Sequence, residues 1–351
     1  MATTKFDYLI IGQGLAGSIL AHQLITQGQR VMVFDNDHIG SSSTVAAGII
    51  NPITGPRLSC AENFVERYEV AKAYYAKLEY HIKQNVFDEI KQLRQIQNDE
   101  QAHFLNKRLN SSTQSNLNYK AFIKQSSNTQ DSPFKQKDYP LINIRGTAIV
   151  DTKALLEATK VWLSSLYSYQ KLVVHYENFN FDENSVHYQE FSASKVIFCE
   201  GYQAINNPWL RHLPFKLAKG EILTLSNSAQ LQTMLSWDKW LVPHHASLKL
   251  GSNFDWENLE LAPSKSVKQS LIESMTKHTN LNANVIKHEV GIRPSTRQRE
   301  PFIGALPSLN NAYCFNGFGS KGCLLIPDYA ELFCNHLLQN KPLPTKVTQW
   351  L

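Results

Sequence analysis

Apolar residues change their spacing several times along the chain, and each change marks an element. Tyr8 to Ile11 form a short continuous apolar run, as a strand buried on both faces does. Ile19, Leu20, Leu24 and Ile25 then recur at helical spacing, and Gly28 sits where a helix takes a left-handed cap. Arg30 to Phe34 read as a second strand, closed by Asp35. Phe64, Tyr68, Ala71, Tyr75 and Leu78 share one face of an amphipathic helix expected over residues 62–83. Asp151 is placed to cap a helix from Thr152 to Leu166. Short strands are expected at 172–175 and 186–188, and a buried strand at 195–201 ends in a glycine turn. Residues 219–225 and 240–251 predict an antiparallel region, with a helix over 267–278 and a last helix reaching Leu338. Residues 97–138 are polar apart from Phe104, Leu105, Leu109 and Phe122, and read as a variable part of a second domain.

The first strand, helix and second strand enclose Gly12, Gly14 and Gly17 in the order G-x-G-x-x-G. Three glycines alone are weak evidence, but here a strand precedes them, a helix follows, and Asp35 comes on schedule. Each part has a physical role in binding a dinucleotide. Gly12 permits the tight turn, Gly14 lets the backbone approach a pyrophosphate, and Gly17 lets helix and strand pack closely. The helix N-terminus, through the backbone of Leu15 and Ala16, offers N–H groups to phosphate, and Asp35 accepts from a ribose hydroxyl. The fingerprint does not separate NAD from FAD.

Composition narrows the setting. A chain of 351 residues suggests about two domains, and 42% hydrophobic with 19% charged residues is ordinary for a globular protein. A net charge of +5 is no argument by itself for nucleic acid. No 18-residue apolar run occurs, so no membrane span is expected. The opening residues lead straight into the first strand, which leaves no room for a signal peptide. The five cysteines, Cys60, Cys199, Cys314, Cys323 and Cys334, lack metal-ligand spacing and read as reduced thiols of a cytoplasmic protein.

Five features in order resemble the D-amino-acid oxidase superfamily of FAD-dependent amine oxidoreductases, which includes glycine oxidase and sarcosine oxidase. They are the N-terminal G-x-G-x-x-G, the Ser-Ser-x-x-Ala-Ala-Gly-Ile loop at 42–49, and the Cys-Glu-Gly turn at 199–201. The others are Gly291-Ile-Arg-Pro294 with Pro301-x-Ile-Gly304, and Gly317-Phe-Gly-Ser-Lys-Gly322. The last motif and the ending Asn340-Lys-Pro-Leu-Pro344 also look like the oxidase domain of the bifunctional enzymes that mature 5-methylaminomethyl-uridine in tRNA.

The resemblance implies FAD and an α/β fold: a Rossmann-like FAD-binding domain with a second, mainly antiparallel β-sheet domain for substrate. The expected division is discontinuous, with 1–80, 142–205 and 286–351 for FAD and 81–141 and 206–285 for substrate. Gly12, Gly14 and Gly17 would hold the pyrophosphate and Asp35, where the family more often has Glu, the ribose. Ser42, Ser43, Thr44, Ala47 and Gly48 would line the ribityl chain and flavin, because small residues and hydroxyls suit a flat ring and its polar tail. Gly201 belongs to the same set. Gly319, Ser320, Lys321, Gly322 and Cys323 would face the pyrimidine edge of the flavin, where positive potential favours the reduced ring. Arg293 would clamp a substrate carboxylate; otherwise it makes a structural ion pair with Glu289 or contacts backbone carbonyls.

The resulting expectation is an enzyme that oxidises the C–N bond of a small amine or amino acid to an imine, passing electrons to O2 or a carrier. One alternative is a tRNA-modifying oxidase acting on a carboxymethylaminomethyl group, with Lys107, Arg108, Lys120, Lys124, Lys135 and Lys137 as a basic surface. Only under that alternative is nucleic acid a partner. The other is a non-catalytic flavoprotein. Arg297 and Arg299 read as solvated loop charges, and His244 with His245 as a solvated pair in a turn. His288 and Cys323 read as structural, and Trp237, Trp240 and Trp256 as core packing ahead of a wall over the flavin.

Overall fold

A computed structural model describes residues 4–61, 63–110, 119–125, 132–135 and 138–351. The apolar run near the N-terminus becomes the strand Thr4–Ile11, buried from Leu9 to Ile11. It lies at the centre of a sheet, parallel to Val31–Asp35 on one side and to Phe191–Phe198 on the other. Tyr169–Lys171 extends the sheet beyond Val31–Asp35. Along the outer edge of Phe191–Phe198, the first half pairs with Val186–Tyr188 and the second half with Ala312–Asn316. The strand expected at 172–175 is instead Tyr169–Lys171. After Lys171 the chain turns off the sheet edge to the 3-10 turn Tyr176–Asn178.

Helices cover one face of this sheet: Leu15–Thr26, Phe64–Ile82, Thr152–Ser165 and Gly322–Gln339. Their apolar sides meet in one core with Ile10, Ile19, Tyr75, Leu155 and Phe333. Asp151 caps its helix by accepting from the Ala154 N–H at 3.0 Å, a contact of about 1 kcal/mol. On the opposite face Phe34, Tyr188, Phe198 and Phe302 form a second core.

A second sheet runs in the order Val285–Arg293, Ala218–Ser226, Ser247–Gly251, Trp240–His244, Met234–Ser236, Gln92–Gln95, Leu141–Ile144, Ile123–Gln125. All its pairings are antiparallel except that of Gln92–Gln95 with Met234–Ser236. The helix Lys265–His278 packs its Leu271 and Met275 into the core under this sheet. Strand Val285–Arg293, and with it Leu141–Ile144, therefore hydrogen-bonds into the second sheet, although the expected division assigned most of both to the FAD-binding part. The reason is a pairing of eight residue pairs with Ala218–Ser226, which no local pattern reveals. Among the described residues, no helix is long and apolar enough to cross a membrane.

Candidate cofactor and substrate site

The first sheet reverses direction of succession at Thr4–Ile11, and ligands bind such sheets beyond the carboxyl ends of the strands flanking the reversal. Here those ends are Gly12 and Cys199–Gly201. They approach so closely that a Cβ on Gly12 would lie 2.6 Å from the Cys199 carbonyl oxygen, and Gly12 has φ +102°. A cavity of about 800 Å³ opens at this point and continues between the two sheets.

Its first stretch is bounded by Gly12, Gly14, Leu15, Ala16 and Asp35. The Leu15 N–H donates to Ser43 Oγ at 3.1 Å, joining the helix start to the following loop. Asp35 accepts from the Gln13 N–H at 2.6 Å and the Asp37 N–H at 2.7 Å, which fixes its carboxylate at the strand end. Lone pairs remain on both oxygens for a hydroxyl donor. Gly17 stands outside the cavity wall. A side chain there would overlap the Gly12 carbonyl oxygen, so its role is helix-to-turn packing.

The loop expected to meet a flavin is pinned between the sheets. Ile292 N–H donates to Gly40 O at 3.0 Å and Val150 N–H to Gly48 O at 2.9 Å. Lys249 Nζ donates to Ala46 O at 2.9 Å. Ser42, Ser43, Ala47 and Gly48 line the cavity. A side chain at Gly48 would overlap the Val150 carbonyl. Thr44 does not line it: the side chain is exposed and its hydroxyl donates to Ser41 O at 2.9 Å. This follows from the single helical turn Ser42–Val45, which rotates Thr44 outward.

Gly201 also borders the cavity, with Gly319, Ser320, Lys321, Gly322 and Cys323 at the start of the Gly322–Gln339 helix. Lys321 is exposed and makes no ion pair among the described residues. Cys323 is buried, and burial pushes its thiol up to about 12, which keeps it protonated and packing rather than nucleophilic.

Arg293 lies at the end of its strand with the guanidinium over Gly220, whose absent side chain makes room for it. Nη2 donates to Ser252 Oγ at 2.7 Å, and Nη1 to Asn253 O at 3.3 Å and Lys219 O at 3.5 Å. The Phe254 ring is 4.2 Å away. None of these partners is an anion, and burial lowers the guanidinium pKa to about 10. The expected contact with backbone carbonyls is present, and the ion pair with Glu289 is not: Glu289 pairs with Lys287.

Other expected residues fall elsewhere. His244 and His245 meet Asp151, whose carboxyl is held well below its ordinary range by the His244 ring 3.6 Å away and by hydrogen bonds from the Ala154 N–H and His245. His288 lies 2.7 Å from Glu221. Arg299 borders the cavity from an exposed loop. Two of the three tryptophans border the cavity, Trp237 largely buried and Trp240 over Gly251, while Trp256 is half exposed against Phe254. Lys137 lies outside the described residues.

Among the cavity residues that sequence patterns did not single out are Glu200, Gly220 and Arg94. Glu200 is buried, and burial raises its pKa to about 7 against the opposing hydrogen bonds from Tyr176 and Asn207. Its place inside the Cys-Glu-Gly turn was the one available signal. Arg94 sits in a polar strand where nothing marks it as buried.

A glycine-lined cleft at the strand reversal, continuing under a second sheet to an uncompensated arginine, defines a dinucleotide-dependent oxidoreductase with a substrate chamber. The chain belongs to the FAD-dependent oxidoreductase family, which it matches over residues 7–335. It is similar to a glycine oxidase from Bacillus cereus (TM-score 0.78, 16% identity, 96% of each chain covered). It is also similar to an iminodiacetate oxidase from Chelativorans sp. BNC1 (TM-score 0.77, 17% identity, covering 97% of this chain and 98% of that one). These likenesses establish the fold. A curated relative, the tRNA 5-methylaminomethyl-2-thiouridine biosynthesis bifunctional protein of Vibrio campbellii, is 23% identical over 99% of this chain. The chain spans 58% of that relative's length. The close approaches at Gly12 and Gly48, and a cavity of about 800 Å³ bordered both by Asp35 and by residues of the second sheet, fit FAD.

Proposed function

We propose that the protein oxidises the C–N bond of a small, carboxylate-bearing amine or amino acid to an imine, which water hydrolyses to a carbonyl compound. Arg293 carries this reading: a mostly buried guanidinium that borders the cavity and, among the described residues, has only neutral oxygens and the Phe254 ring as partners. A buried cation without a counter-ion is costly, and a substrate carboxylate supplies the missing charge with two parallel hydrogen bonds. Bound FAD supplies the hydride acceptor. Arg293, held by Ser252 and Asn253, would orient the carboxylate, and Trp240 and Phe254 would exclude water beside it.

Gly12, Gly14, Leu15 and Ala16 would hold the diphosphate and Asp35 the ribose. Ser42, Ser43, Ala47, Gly48 and Gly201 would border the rest of the cofactor, and Gly319 to Cys323 the flavin edge, with Lys321 adding positive potential. The FAD-binding unit would comprise residues 1–80, 142–205 and 286–351, amended so that strands Leu141–Ile144 and Val285–Arg293 go with the substrate unit.

Anaerobic addition of glycine, N-methylglycine, iminodiacetate or proline to the FAD-loaded protein tests the reading. At least one carboxylate-bearing amine is expected to bleach the flavin absorbance. An intact holoprotein that no such amine bleaches would sink it.

The similarity to the Vibrio campbellii protein favours a second reading, in which the amine is a carboxymethylaminomethyl group on tRNA and Arg293 has the same task. Lys107, Lys120, Lys124 and Lys135 are exposed and would contribute a basic surface. RNA binding that weakens steeply with salt distinguishes this reading from a free small-molecule substrate.

A further inference from the structure

Arg94 is 5% exposed and borders the same cavity as Arg293. Its Nη2 donates to Gly55 O at 2.7 Å and Nη1 reaches Ile53 O at 3.4 Å, but Nε is buried with no hydrogen-bond partner among the described residues. No carboxylate pairs with it among the described residues, and burial alone lowers its pKa to about 10. Two carbonyls satisfy part of the guanidinium fork and leave its charge uncompensated.

The register of the second sheet relates Arg94 to Arg293. Arg94 is opposite Ser236, Ser236 opposite Trp240, and Trp240 opposite Gly251. Directly opposed residues share a face, and Arg94, Ser236 and Trp240 all border the cavity. The row ends beside Ser252, which holds Arg293 at 2.7 Å. Three strand spacings, about 14 Å, separate its ends at the backbone, and the space between is floored by an aromatic ring.

We propose that the substrate carries a second anionic group, carboxylate or phosphate, which binds Arg94 while its amino-acid carboxylate binds Arg293. The substrate is then an amino acid whose chain crosses Trp240, longer than glycine and anionic at both ends. This inference rests on the role proposed for Arg293 and adds to it the second pole of the chamber.

The test titrates FAD-loaded protein with unreactive anions and reads binding from the flavin absorbance. Linear monocarboxylates are compared with dicarboxylates and ω-phosphonocarboxylates of about six to twelve carbons, a length series that reaches the backbone span of about 14 Å. The doubly anionic ligands are expected to bind about tenfold or more tightly than monocarboxylates of equal length, and the better of the two classes identifies the second group. Arg94→Gln is expected to erase that advantage and Arg94→Lys to keep part of it, with the flavin spectrum and melting temperature showing that each variant is folded. Equal wild-type affinity for mono- and dianions, an advantage that survives Arg94→Gln, or loss of FAD from the variant would each overturn the inference. Equal affinities leave amine oxidation standing. A clear dianion preference with no amine able to bleach the flavin sinks the amine reading instead, and absence of any anion binding overturns both.

Discussion

Arg293→Ala is expected to lower kcat/KM for carboxylate-bearing amines roughly ten- to a hundredfold or more while leaving the flavin spectrum intact. Ser252 Oγ and two carbonyls engage three of the five guanidinium N–H groups, so two donors and the charge are available to a substrate. A charge-assisted pair in a sheltered site contributes ~1.5–3 kcal/mol, which sets the size of the loss. Arg293→Lys should recover only part, because a point charge cannot reproduce the two-bond geometry. Gly220→Ala should mimic the loss with the arginine still present. A methyl group there would occupy the space of the guanidinium, and a flexible side chain yields before backbone does. Steady-state kinetics with acidic and neutral amines checks all three variants. Equal damage to both substrate types, or loss of FAD, would show that Arg293 supports the fold or the cofactor.

Glu200 is expected to make the protein less stable as pH rises from about 4.5 to about 7. Burial raises its folded pKa to about 7, against an ordinary value of 4.5. Over that window the folded state keeps a proton that the unfolded chain has released, so stability is fully present below pH 4.5 and declines through pH 7. A shift of this size corresponds to roughly 3 kcal/mol. Glu200→Gln imitates the protonated carboxyl toward Tyr176 and Asn207 and removes the slope. His22 acts with the opposite sign. Burial, reinforced by the neighbouring His81, lowers its pKa from 6.5 to about 3, so its contribution is lost as pH falls below 6.5. The difference between wild type and Glu200→Gln in urea unfolding therefore isolates Glu200. Parallel curves from pH 4.5 to 8 would refute a neutral buried carboxyl.

Much of the cofactor-binding half is legible before folding because its signals are local. The turn after Ile11, the helix spacing to Leu24 and the cap at Asp151 each depend on residues within a few positions of one another. Gly17 packs against the turn, as its place in the fingerprint implies, whereas the Thr44 side chain sits in the loop but faces solvent. A motif specifies backbone shape, and side-chain direction within it depends on the last few degrees of that shape. The expected strand at 172–175 failed for a similar reason. Its Leu-Val-Val run is apolar, yet the edge pairing with Val31–Asp35 is taken by Tyr169–Lys171.

By itself the sequence determined the nucleotide-binding turn, the acidic strand end, the helix caps and the family to which the chain belongs. Short apolar runs and glycines restrict backbone torsions wherever they occur, and no distant partner is needed for that effect. Only the tertiary structure decided the chemistry of the chamber. The Arg293 guanidinium has its place because Gly220 lies under it, 73 positions away, and its hydrogen-bond partners are the neutral oxygens of Lys219, Asn253 and Ser252. Arg94 is brought to the same cavity by a row of four strands drawn from residues 92–251, and burial raises the Glu200 pKa to about 7 against the hydrogen bonds from Tyr176 and Asn207. Whether a charge is compensated depends on what long-range packing brings within a few ångströms, and one-dimensional spacing carries no record of that.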